Sequence, residues 1–163
     1  MKNHILVINN NLEDIEKIKN ILGKVYRITI VKSTQKALEV VKDDTPDLVL
    51  VDISLIRISE DEFIKIIKKN KKLYKIPIIF IAASLRYKDE ELNMELGAID
   101  FLRKPIESEI MLKIIKLNLE LKNYIKDFEY RIHERNNRIE DLKNALILSL
   151  YELVECRDSH TGE

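Results

Sequence analysis

Apolar and polar positions along this chain follow two rhythms, which alternate. His4-Ile5-Leu6-Val7-Ile8 is an almost wholly apolar run, as expected of a strand covered on both faces. Leu12, Ile15, Ile18 and Leu22 then recur at helical spacing, and Gly23 stops the helix. The same unit repeats. Tyr26 to Val31 reads as a strand, Ser33 caps a helix through Lys42, and Pro46-Asp47 leads into the strand Leu48-Val49-Leu50-Val51. Ser59 and Glu62 have capping-box spacing ahead of Phe63, Ile66 and Ile67, and Pro77 opens the strand Ile78-Ile79-Phe80-Ile81. A fourth helix is predicted from about Tyr87 to Leu96, with Gly97 as its left-handed cap. A short fifth strand, Ala98 to Leu102, precedes Lys104-Pro105.

Strands buried on both faces and alternating with helices predict a parallel sheet with right-handed crossovers, an α/β doubly wound domain over about residues 1–120. In such sheets the ligand site lies beyond the carboxyl ends of the strands. Asn9 and Asn10 follow the first strand, Asp52 ends the third, Ala82 ends the fourth and Lys104 follows the fifth. These five residues are therefore expected on one rim.

Beyond the fifth strand the rhythm changes. From Ile106 to Asp158 there is neither Pro nor Gly, and Met111, Ile114, Leu121, Ile125, Phe128, Ile132, Ile139, Leu142, Leu146 and Leu153 keep one alternating three-four register. Asn118, Arg135 and Ser149 interrupt it. A lone solvated helix cannot bury such a stripe, so residues 121–156 are expected to form a coiled-coil-like helix that pairs with a second copy. Its first turns, about Ile106 to Leu121, are expected on the sheet as the fifth helix of the domain. Asn118 either fixes the register of a parallel pair or faces solvent. In a parallel pair Arg138 would approach Lys143 of the other copy, a like-charge contact that does not favour that orientation. The alternative to pairing is a helix that packs on its own domain or meets another one.

Composition narrows the function. Lys plus Arg equals Asp plus Glu at 28 each, so the overall balance gives no electrostatic reason to expect nucleic acid or an anionic membrane. The 45% hydrophobic content suffices for a packed core. Cys156 is alone, which excludes an internal disulfide and a cysteine metal cluster. With no signal peptide and no long apolar run, a cytoplasmic protein is expected. No nucleophile and base pair or phosphate-cradling glycine loop stands out, so an enzyme is not expected of these residues.

Four segments carry a resemblance. They are Ile5-Leu6-Val7-Ile8-Asn9-Asn10, Pro46-Asp47-Leu48-Val49-Leu50-Val51-Asp52, Ile76-Pro77-Ile78-Ile79-Phe80-Ile81-Ala82-Ala83, and Leu96-Gly97-Ala98-Ile99-Asp100-Phe101-Leu102-Arg103-Lys104-Pro105. Together they resemble the receiver domain of two-component response regulators over about residues 3–120. The resemblance implies a flavodoxin-like (βα)5 fold with strand order 2-1-3-4-5, a phosphoacceptor at Asp52 and a histidine kinase as partner. It also implies two acids after the first strand that hold magnesium with the phosphoacceptor, because this hard cation prefers carboxylates. This chain has Asn9 and Asn10 there, so only weak magnesium binding at Asp52 is expected. Ala82 replaces the hydroxyl residue that would bond the phosphoryl group, and Phe101, at the aromatic switch position, has no hydroxyl to follow. Ser84 is a remote substitute for that hydroxyl. Ile56 and Glu60 replace the Pro and Gly usual in the loop after Asp52. Asp52 and Lys104 stand at matching positions and are expected to form a direct ion pair.

Leu150 to Glu163 looks like the opening of an HD-GYP domain, a metal-dependent module that hydrolyses cyclic di-GMP. The sequence ends before that family's metal-binding and Gly-Tyr-Pro signatures. Residues 157–163 are therefore expected to begin an output domain lying outside this sequence, with His160 near its metal site in a longer protein. The expected function is a degenerate receiver that governs such an output through dimer geometry. A phosphorelay response regulator phosphorylated on Asp52 is one alternative, and a module that binds a ligand or protein without phosphoryl chemistry is another.

Overall fold

A computed structural model describes residues 2–56, 62–70, 73–83 and 100–158. The chain divides into two units, Met1–Lys122 and Asn123–Glu163. The first is built on a five-stranded parallel sheet in the order β2-β1-β3-β4-β5. Its strands are β1 (His4–Ile8), β2 (Arg27–Val31), β3 (Leu48–Asp52), β4 (Ile78–Ala82) and β5 (Asp100–Arg103). Helices α1 (Leu12–Leu22), α2 (Thr34–Asp43) and α3 (Glu62–Lys69) fall between them, and α4 (Ser108–Asp158) follows β5. The strand order and the long closing helix agree with the flavodoxin-like expectation. The helix expected over Tyr87–Leu96, the Gly97 cap, Ser59, Glu60 and Ser84 lie outside the described residues.

Local chemistry accounts for the ends of the elements. Asn11 caps α1, its side chain accepting from the Asp14 amide, and Ser33 caps α2 by accepting from Lys36. Side-chain alternation along the strands sorts the core into two layers. Leu6, Ile8, Val49, Val51, Ile78 and Phe80 pack on one face with Ala37, Val41 and Phe63 from α2 and α3. Ile5, Val7, Leu48, Leu50, Ile79 and Ile81 pack on the other with Ile18 and Leu22 of α1 and with Met111, Ile115 and Leu119 of α4. Ile56, at the usual Pro position, is buried in the first layer.

The first turns of α4 lie on the sheet as expected, and Ile114 of the stripe packs against that core layer. Met111, Ile115, Asn118 and Leu119 are buried, while Leu117 and Leu121 are exposed. Asn118 therefore neither faces solvent nor sits in a pairing seam. Its Nδ2 donates to the Ile114 carbonyl at 2.9 Å and to Asp100 Oδ2 at 3.4 Å. The reason is packing: the sheet covers the helix face that carries Met111, Ile115 and Asn118, so the amide is buried within the domain.

The second unit is the remainder of α4. Ile125, Phe128, Ile132, Ile139, Leu142 and Leu146 are all exposed there. So are Ile147, Leu148, Leu150, Tyr151, Leu153 and Val154, which widens the apolar surface near the end of the helix. Among the described residues, no helix is long and apolar enough to cross a membrane.

Candidate functional site: an ion-paired carboxylate at the sheet rim

Strand register assembles the rim. Ile8 pairs with Val51, Asp52 with Ile81, and Ala82 with Arg103, so the residues that follow these strand ends share one edge. The Lys104 amide donates to the Ala82 carbonyl at 2.8 Å, which extends the β4 and β5 pairing to the lysine itself. The Lys104-Pro105 peptide bond is cis.

Asp52 is the centre of the site and is 2% exposed. Its Oδ2 accepts from Lys104 Nζ at 2.6 Å. Its Oδ1 accepts from the Ser54 amide at 2.9 Å and from the Ser54 hydroxyl at 2.7 Å. The short 3-10 turn Ile53–Leu55 brings Ser54 back over the carboxylate that caps it. Burial by itself raises the pKa of Asp52, but the bonds from Lys104 and Ser54 outweigh it and hold the carboxyl below its ordinary value. For Lys104 burial works downward, and the carboxylates of Asp14 and Asp52 overcome it and raise the ammonium's pKa. Both groups are thus charged at neutral pH.

The expected Asp52 and Lys104 pair is therefore present, and two further participants join it. Ser54 was not singled out in the sequence, although a Ser two residues after a strand-ending Asp fits an Asx-type turn. Asp14 was also missed. Its Oδ2 lies 2.7 Å from Lys104 Nζ as an ion pair, a contact that only the placement of α1 reveals.

The other expected residues are present but otherwise engaged. Asn9 is fully buried, and its Oδ1 accepts from the Asn11 amide at 2.8 Å, which shapes the turn into α1. Its Nδ2 has no hydrogen-bond partner among the described residues. Asn10 is exposed. Ala82 is buried and contributes only backbone bonding. Phe101 packs on Phe80 with ring centroids 5.7 Å apart and an interplanar angle of 37°.

Magnesium, the cation implied by the resemblance, requires several oxygen ligands in near-octahedral array. The donors here do not match that need. Asp52 has an ammonium on one oxygen and Ser54 on the other, Asn9 Oδ1 is committed to backbone, and Asn10 carries no charge. Among the described residues, no group of three or more His, Cys, Asp or Glu side chains is placed to hold a metal ion.

Comparison with known proteins places this geometry. The family model "Response regulator receiver domain" matches residues 5–116. A probable cyclic di-GMP phosphodiesterase from Vibrio cholerae is 30% identical over 97% of this chain, and the match covers 37% of that protein's length. The chain thus spans little more than a third of that relative. A receiver-modulated diguanylate cyclase from Pelobacter carbinolicus is 28% identical, with a TM-score of 0.62 over 77% of this chain and 98% of that one. The receiver domain of a histidine kinase from Syntrophus aciditrophicus shares the fold, with 24% identity and a TM-score of 0.64 over 72% of this chain and 90% of that one. With its 2-1-3-4-5 sheet, its rim carboxylate and its matching lysine, this chain belongs to the response regulator receiver family.

Proposed function

We propose that this chain is a signal-transduction receiver whose rim rests in an ion-paired state and does not take up a phosphoryl group by the usual magnesium-dependent route. It acts instead as a non-enzymatic cytoplasmic module that controls a C-terminal output, through pairing of α4 with the same helix of a second copy. The observation that carries this reading is the engagement of both Asp52 oxygens, by Lys104 and Ser54, at a rim where two amides stand in place of carboxylates. A nucleophilic carboxylate must shed such bonds before it can attack phosphorus, and among the described residues no acidic cluster is placed to hold a divalent cation that would screen the incoming charge.

The exposed apolar series from Ile125 to Leu146 supports the pairing helix. An output acting on cyclic di-GMP is supported by the phosphodiesterase relative and by the HD-GYP-like residues after Leu150. The whole protein's activity belongs to this proposal.

A second reading has its own observation: Asp52 and Lys104 remain adjacent at the receiver's phosphoacceptor and lysine positions. In this reading a histidine kinase phosphorylates Asp52. Intact mass after incubation with acetyl phosphate and magnesium separates the two. Expected are an unmodified protein and an adduct only after Asn9→Asp/Asn10→Asp repair. An adduct on the unaltered chain that is absent from Asp52→Asn would establish the second reading.

A further inference from the structure

The Asp14 contact is not explained by the receiver pattern, and it involves the lysine on which the rim depends. Asp14 Oδ2 and Asp52 Oδ2 lie 2.7 and 2.6 Å from the same Nζ. The Asp14 side chain is 18% exposed and that of Lys104 25%, so water screens this pair less than an ordinary surface pair. Glu13, its neighbour in the first turn of α1, is exposed. Asp14 lies four and eight residues before Ile18 and Leu22, which are buried on the sheet, so the same side of α1 carries it inward.

Two carboxylates on one ammonium do what neither does alone. With Asp52 as its only partner, Lys104 is free to follow that carboxylate or swing into water. A second anion on a different element fixes the position of Nζ. We propose that Asp14 is the positioning residue that holds Lys104 in the rim, so that α1, the end of β3 and the residue after β5 are tied at one ammonium. This inference rests on the ion-paired resting state proposed above and adds its regulation. Any anion arriving at Asp52 must compete with Asp14 for Lys104.

The test is the rate at which an amine-acylating reagent labels Lys104 across a pH series, read by peptide mass spectrometry on the full chain. Only the unprotonated amine reacts, so a nearby carboxylate that stabilises the ammonium slows labelling. Asp14→Asn is expected to label at Lys104 roughly threefold faster at a given pH, the scale of a partly screened ion pair. Asp14→Glu, which keeps the charge, is expected to restore most of the slow rate. Lys122, which Asp47 holds at the opposite end of the sheet, is the internal control. An unchanged profile in Asp14→Asn, with acceleration in Asp52→Asn, would overturn the role of Asp14 and leave the resting pair standing. Acceleration in neither variant would overturn both. Equal acceleration at Lys122 would mean general loosening, and that too would overturn the assignment.

Discussion

Lys104 donates to Asp52 at 2.6 Å across 52 positions of sequence, closing the rim of the sheet with a charge pair. The acid is almost entirely out of water, whereas the lysine keeps a quarter of its side-chain surface in contact with it. Removing the lysine therefore leaves a buried carboxylate supported, among the described residues, by Ser54 alone. The Lys104→Met variant is expected to lose about 1–2 kcal/mol of stability at neutral pH, between the cost for an exposed pair and that for a fully buried one. Adding Asp52→Asn should recover part of the loss, because the orphaned charge is then gone. Urea unfolding of the two single variants and the double variant measures this. No recovery in the double variant would mean that the pair is not the source of the cost.

Acid should act on the same pair with a defined sign. The folded-state pKa of Asp52 lies below its ordinary value of 3.8. Its contribution to stability is therefore present above 3.8 and is lost as pH falls through the folded value. The gap between the native chain and Asp52→Asn should narrow in that acidic range and stay constant above about pH 5. A gap that changes between pH 6 and 8 would contradict the assignment.

His4 predicts a separate pH window. It is 2% exposed at the start of β1, with Nε2 2.8 Å from the Thr29 hydroxyl and Nδ1 3.5 Å from Asp44 Oδ2. Burial first, and then the Arg27 charge, lower its pKa below 6.5, although Asp44 and Asp47 pull the other way. The unfolded chain therefore takes up this proton before the folded chain does. Stability should fall as pH drops from about 6.5 toward the folded value, and His4→Gln should remove that slope. Thermal melts of both proteins between pH 5 and 8 make the comparison.

At the amino ends of the strands, Asp47 joins two elements. Its Oδ2 accepts from the His4 amide at 2.9 Å, and its Oδ1 and carbonyl oxygen accept from Lys122 Nζ at 3.0 and 3.1 Å. The Asp47→Ala variant should cost about 1–3 kcal/mol, because it leaves a shielded amide without its partner. Lys122→Met should cost less than about 1 kcal/mol, as expected for a part-exposed ion pair. Hydrogen exchange should quicken at the His4 amide only in the first variant, and equal quickening in both would contradict this division.

Self-association tests the pairing helix. Under the proposed dimer, Leu142→Lys should weaken association at least tenfold in sedimentation velocity, because it sets a charge in the apolar seam. Asn118→Leu should leave association unchanged, since Asn118 is buried against Asp100 within the first unit. Weakening by Asn118→Leu alone would place the contact elsewhere.

The sequence by itself determined the sheet, because strand runs and helical spacings are local properties of neighbouring residues. Leu48 to Val51 and Ile78 to Ile81 are buried strands because no polar residue interrupts them, and Ser33 starts α2 because its side chain can reach a free amide. Asp52 and Lys104 were legible as rim residues because they stand at strand ends, and as partners because they match the phosphoacceptor and lysine positions of the receiver family. Tertiary structure decided the rest. Asp14 lies in a helix whose rotation toward the rim depends on how Ile18 and Leu22 pack on the sheet. Asn118 shares the three-four spacing of the pairing stripe, and only its burial on the sheet beside Asp100 shows that it serves the domain core and not a pairing seam. Spacing is written in the chain, but the face that meets a neighbour is fixed by the surface on which the helix lands.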